Sequence, residues 1–158
     1  MHVDNDLVAL ILSETLDLEL RVPMRRWETR ATTVRAQMGV HNAHSLPLLL
    51  GVQVLIPKPW KLTTYLMIYG QHLRRLDVNG SHSNRTADRE VWNERTHKHT
   101  FSEQDQDAVA YTPGDIPAVP TANVVGEHYR GAFEAFCGEQ AIKLTGEYRW
   151  IDPVLPTR

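Results

Sequence analysis

The segment His97-Lys98-His99-Thr100-Phe101-Ser102-Glu103 concentrates residue types that do chemistry. In an extended chain, side chains two residues apart point the same way. His97, His99, Phe101 and Glu103 then share one face, and Lys98, Thr100 and Ser102 the other. Two imidazoles and a carboxylate on one face suit two kinds of chemistry. Imidazole titrates near neutrality and can act as general acid or base. Neutral imidazole and carboxylate also ligate divalent metals such as iron, manganese or zinc.

Metal-independent cleavage of a phosphodiester needs a base for the 2′-hydroxyl, an acid for the leaving oxygen and a cation for the phosphorane. His82, His97 and His99 are the candidates for proton transfer, with Glu103 as alternative base or orienter. Arg74, Arg75, Arg85 and Lys98 are the candidate phosphate ligands. From Arg74 to Lys98, the basic residues Arg74, Arg75, Arg85, Arg89, Arg95 and Lys98 outnumber Asp77, Asp88, Glu90 and Glu94. This stretch is locally positive in a chain of net charge −2, as a local phosphate site and an RNA partner require. The overall charge argues against a general nucleic-acid binder. No cofactor is required on this reading. The alternative is a divalent metal on His97, His99 and Glu103, whose H-x-H-x-x-x-E order resembles the first metal motif of cupins. The chain has Val91 where that motif usually has glycine, and no second motif follows. The plain alternative is a solvated sheet face, with Arg74 and Arg75 pairing with Asp77 and Glu94.

Arg75-Leu76-Asp77-Val78-Asn79-Gly80, then His82 and Asn84, then His97-x-His99-x-Phe101-x-Glu103, Asp107 and Ala110-Tyr111 resemble an uncharacterised family of small proteins from bacteria, phages and mobile elements. Its pattern is R-L-D-x-x-G…H-x-N…H-x-H-x-aromatic-x-E…D-x-x-A. The resemblance implies that His82, His97, His99, Glu103 and Asp107 belong to one site, and it implies no activity. Lys98 and Thr100 are more polar than the family's alternating positions, and Val109 stands where tryptophan is expected. Mobile-element proteins of this size are often toxins, antitoxins, defence proteins or inhibitors, an association that favours the ribonuclease reading.

The elements that must position these residues read as follows. Asp4 and Asp6 suit a helix start, and Leu7, Leu10, Ile11, Glu14 and Leu18 extend helical spacing to about Glu19. Trp27 to Met38 alternates with a phase change near Thr32, which means a bulged strand or two short strands. Leu46–Ile56, Leu62–Tyr69, Gln71–Val78, Glu90–Phe101 and Asp107–Tyr111 read as strands, with Leu62–Tyr69 apolar on both parities as in a central strand. Asn79-Gly80 reads as a turn, followed by a polar loop to Asp88. A helix capped by Thr121 or Asn123 runs to about Ile142, with Val125, Tyr129, Phe133, Phe136, Cys137 and Ala141 as its apolar stripe, and Glu147–Ile151 suggests a terminal strand. The expectation is an α+β fold. A mainly antiparallel sheet of five or six strands is flanked by an N-terminal and a C-terminal helix. Residues 1–152 form a single domain, with a tail at 153–158.

A chain of 158 residues with 42% hydrophobic and 23% charged residues is ordinary for one domain. The one cysteine, Cys137, cannot form an internal disulfide, so an oxidising compartment is not indicated. The longest apolar run, Leu46–Ile56, is broken by Pro47, Gly51 and Gln53 and is too short to span a bilayer. The N-terminus lacks a basic leader, so the cytoplasm is expected. No βαβ alternation, Gly-rich phosphate loop or G-x-S-x-G elbow supports a dinucleotide, P-loop or hydrolase reading. A binding module without chemistry, as a homodimer through Trp60, Tyr65 or Trp92, is the third reading.

Overall fold

The computed structural model describes residues 3–24, 26–84 and 90–156, without the side chains of Glu14 and Asp107. Helix α1 (Asn5–Ile11) starts where Asp4 accepts a hydrogen bond from the Leu7 amide at 2.8 Å. It stops well before Glu19. Leu16, Leu18 and Leu20 are all buried with a period of two, and Asp17 between them has φ +50°. The chain there is a 3₁₀ turn (Glu14–Leu16) leading into the short strand β1 (Glu19–Leu20).

The phase change near Thr32 is a turn between two strands, β2 (Glu28–Thr29) and β3 (Thr33–Val40). There the Arg30 amide donates to the Thr33 carbonyl at 2.7 Å. They are followed by β4 (Leu48–Leu55), β5 (Leu62–Ile68), β6 (Gln71–Ser83), β7 (Val91–Ser102) and β8 (Gln106–Tyr111). Strands β2 to β8 form one antiparallel sheet of seven strands in chain order, larger than the five or six expected. Helix α2 (Gly126–Glu139) precedes β9 (Lys143–Leu144), which pairs in parallel with β1. The expected strand at Glu147–Ile151 does not form.

One sheet face is the core. Val34, Val54, Leu62 and Val78 are cross-strand partners in a single buried row. The core continues into Tyr129, Phe133, Phe136 and Cys137 of α2. The helix begins after Val125, so neither Thr121 nor Asn123 caps it. The Val125 amide instead donates to Nδ1 of His128 at 3.1 Å.

The opposite face is polar. Register aligns Arg35, Gln53, Thr63, Asp77 and His97 in one row, and Gln37, Gly51, Tyr65, Arg75 and His99 in the next. Gly51 is required there, because a Cβ would stand 2.2 Å from the Tyr65 ring. Among the described residues, no helix is long and apolar enough to cross a membrane.

Asn79-Gly80 is not a turn. Asn79, at φ +51°, sits inside β6 where register shifts relative to β7, and Glu94 opposite has the same φ. Left-handed residues at a shifted register make bulges, which bend a hairpin without ending it. The Asn79 amide group secures the bend by donating to the carbonyls of Trp60 and Val119 at 2.9 Å each. The expected polar loop therefore begins as strand, and β6 continues to Ser83.

Candidate functional site

The bent β6–β7 arm is anchored to β8. Asn84 donates to the Ala110 carbonyl at 3.1 Å and accepts from the Ala110 amide at 2.9 Å. The Trp92 indole donates to Thr112 Oγ1 at 2.9 Å. The arm brings His82 over His97 and His99, with ring centroids 5.6 and 4.5 Å away. Trp92 packs against His82 and His97. His97 and His99 are wholly buried, and His82 is half-buried.

One nitrogen from each of the three imidazoles lies within 4.8 Å of the others. Their hydrogen bonds constrain the tautomer of each ring. Asn84 Oδ1 accepts from the Ala110 amide, so it is an oxygen. His82 Nε2 faces that oxygen at 3.1 Å and the Ala108 carbonyl at 2.8 Å. Two acceptors require Nε2 to carry hydrogen, which leaves Nδ1 of the neutral ring as a lone pair. Burial, opposed by the Ala108 carbonyl, pushes the His82 pKa below its ordinary value and favours that neutral ring. His97 Nδ1 donates to the Arg95 carbonyl at 2.9 Å. Its Nε2 is buried with no hydrogen-bond partner, 3.5 Å from Asp77 Oδ2.

Asp77 supplies the carboxylate. It accepts from Thr63 Oγ1 at 2.7 Å and from Arg75 Nε at 3.0 Å, and Oδ2 is 3.1 Å from His99 Nε2. Burial alone would raise its pKa, but His97, His99, Arg75 and Thr63 outweigh burial and hold the carboxyl well below the usual range. His99 is shared. Arg75 Nη2 lies 2.9 Å from its Nε2 and 3.3 Å from its Nδ1. The guanidinium only donates and the carboxylate only accepts, so they select opposite tautomers of His99. When Nε2–H is given to Asp77, the Nδ1 lone pair faces the Arg75 guanidinium at 3.3 Å.

Of the residues singled out by the sequence, the fold joins His82, His97, His99 and Arg75. It does not join Glu103, which is exposed in the turn past the end of β7, with its amide donating to Asn5 Oδ1 at 3.0 Å. Strand period and the family resemblance both put Glu103 with the histidines, but the regular strand ends at Ser102. Arg74 and Lys98 lie on the other sheet face. Lys98 is buried between Asp115, at 2.8 Å, and Glu139, so it is not a free phosphate ligand. Arg85 and the side chain of Asp107 are outside the described residues. Glu94 pairs with Lys58 and Lys61 and not with Arg74 or Arg75. Asp77, an expected arginine partner and part of the R-L-D segment, joins the histidines, because its two-residue spacing from Arg75 places both on one face.

Three imidazoles that bring one nitrogen each within 4.8 Å of the others are a ligand set for zinc or a similar metal. Tetrahedral bonds of about 2.0–2.1 Å bring ligand nitrogens to roughly 3.4 Å apart, so binding would draw the rings inward by several tenths of an ångström. A groove of about 330 Å³ is bordered by Gln53, Lys61, Thr63, Asp77, Gly80 and Ser81, and none of the three histidines lines it. Comparison of the chain with protein families, curated proteins and solved structures finds no match.

Proposed function

We propose that this protein binds a divalent transition-metal ion through His82, His97 and His99. The observation that carries this reading is the buried Nε2 of His97, which has no hydrogen-bond partner and lies in a group of three imidazoles that bring one nitrogen each within 4.8 Å of the others. A buried polar atom without a partner costs roughly 1–3 kcal/mol, and a metal ligand bond removes that cost. The outer contacts also suit a metal centre. Ligating histidines usually give their other N–H to a carbonyl or carboxylate, and Ala108, Arg95 and Asp77 are in place to accept. Three protein ligands leave a position open, as in catalytic zinc sites.

The complete burial of His97 and His99 weighs against direct proton exchange between them and a bound RNA. The metal-independent ribonuclease reading is therefore the competitor to be tested. The protein is purified without chelators or a polyhistidine tag, and its metal content is measured by elemental analysis. About one transition-metal ion per chain is expected, lost in His82→Ala and His97→Ala and retained in Glu103→Ala. Absence of bound metal in the wild type, even after equilibration with Zn²⁺, Co²⁺ or Ni²⁺, removes the proposal. RNA cleavage in EDTA that requires His82 would put the acid–base reading in its place.

A further inference from the structure

A second site stands at the other end of the polar face. Where the short β2 ends beside β3, a cavity of about 630 Å³ is lined by Arg26, Trp27, Glu28, Thr29, Arg35 and Gln37. We propose that this cleft binds a nucleoside phosphate, with the phosphate on Arg35 and Arg26 and the base against Trp27.

The argument begins at Arg35. Its Nε is buried without a hydrogen-bond partner, and the nearest acid, Glu28, is 3.9 Å away. Glu28 is already held by Arg30 at 2.9 Å. Among the described residues, Arg26, Arg30 and Arg35 stand by the cleft with Glu28, while Asp152, which borders an adjoining groove with Arg26 and Trp27, accepts from the Trp150 indole at 2.7 Å. A guanidinium with an unused donor is suited to an anion that presents several oxygens, and phosphate fits that geometry.

Trp27 supplies the second half. Its indole N–H donates to the Ile151 carbonyl at 2.7 Å, and its ring packs edge-on against Trp150 at 5.9 Å. The ring is therefore held in place, yet it borders the open cleft. A fixed indole beside cations is how nucleobases are stacked without sequence preference. Gln37 gives its amide hydrogen to Tyr65 Oη at 2.9 Å, which keeps its carbonyl oxygen available as an acceptor. The cleft volume is within the range of small-molecule sites. Three strand spacings separate Arg35 from Asp77 along their shared row, about 14 Å at about 4.8 Å each. The site is thus distinct from the histidine cluster, and the proposal does not rest on the metal reading.

The test is titration calorimetry with uridine monophosphate, adenosine monophosphate, uridine and inorganic phosphate. Both monophosphates are expected to bind below millimolar concentration, and uridine and phosphate at least about tenfold more weakly. Arg35→Gln and Trp27→Leu should each weaken monophosphate binding by at least about tenfold, with melting temperature and circular dichroism retained. Arg95→Gln, at an exposed position on β7, should bind as the wild type does. If Arg35→Gln does not fold, the exposed Arg26→Gln is read in the same way. Monophosphates that fail to bind the wild type at millimolar concentration overturn the proposal. Equal affinity in the arginine variant does so as well, and phosphate binding as tightly as the nucleotides would remove the nucleoside class.

Discussion

At the residue scale, the site depends on one carboxylate and one glycine. Asp77 faces Thr63, Arg75, His97 and His99 together, 3.1 Å from His99 Nε2 and 3.5 Å from His97 Nε2. Gly80 makes room for that arrangement. A Cβ there would be 2.9 Å from His97 Cε1 and 2.9 Å from Asp77 Cβ, and neither atom is the end of a flexible side chain. Gly80→Ala is expected to shift the His97 ring, to lower metal content under limiting metal, and to cost about 1–3 kcal/mol in urea unfolding. Unchanged metal content and stability would show that His97 is not held there. Cys137 behaves as the small hydrophobe expected. It is wholly buried, and burial pushes its thiol pKa up, away from nucleophilic use.

At the element scale, the arm formed by the ends of β6 and β7 makes the cluster. Without its bend at Asn79 and Glu94, His82 would follow the strand away from His97 and His99. Asn84 holds the bend closed by satisfying both the amide and the carbonyl of the buried Ala110. Asn84→Ala leaves those groups without the side chain and should cost about 2–3 kcal/mol. The loss should be local. Hydrogen exchange is expected to accelerate at the Ala110 amide and the Trp92 indole while β4 stays protected. Equal acceleration throughout the sheet would mean that the arm does not open separately. The expected turn at Asn79-Gly80 shows the limit of local signals here. Asparagine and glycine supply positive φ equally well to a turn and to a bulge, and only pairing with β7 distinguishes them.

At the scale of the whole molecule, the seven-stranded sheet separates two environments. One face is sealed by α2, and Tyr129 on that helix donates to the Pro59 carbonyl at 2.8 Å. Burial raises the Tyr129 pKa to about 12. The unfolded phenol ionises near pH 10, while the folded one keeps its proton for about two more units. Stability from Tyr129 is thus present below about pH 10 and is lost as pH rises toward 12. Tyr129→Phe should cost about 1 kcal/mol at neutral pH through the hydrogen bond, and should flatten the alkaline loss measured by urea midpoints. A variant with the same slope between pH 10 and 12 as the wild type would place that loss elsewhere. The aromatic residues considered for a dimer do not form an exposed patch. Tyr65 and Trp92 are buried and Trp60 is half-buried.

The sequence by itself determined what local periodicity encodes. Apolar alternation marked the strands between Thr33 and Tyr111, helical spacing marked α2, and His97 and His99 shared a face because side chains alternate along any strand. Proximity across strands was decided only by tertiary structure, because register depends on which residues a fold can bury together. Asp77 opposite His97, His82 folded above both, and Lys98 turned to the core between Asp115 and Glu139 all follow from pairing, bulges and packing. Glu103 illustrates the same division from the other side. Its spacing matched the histidines, but the strand ends at Ser102 and the chain turns there, so periodicity no longer governs where its side chain points.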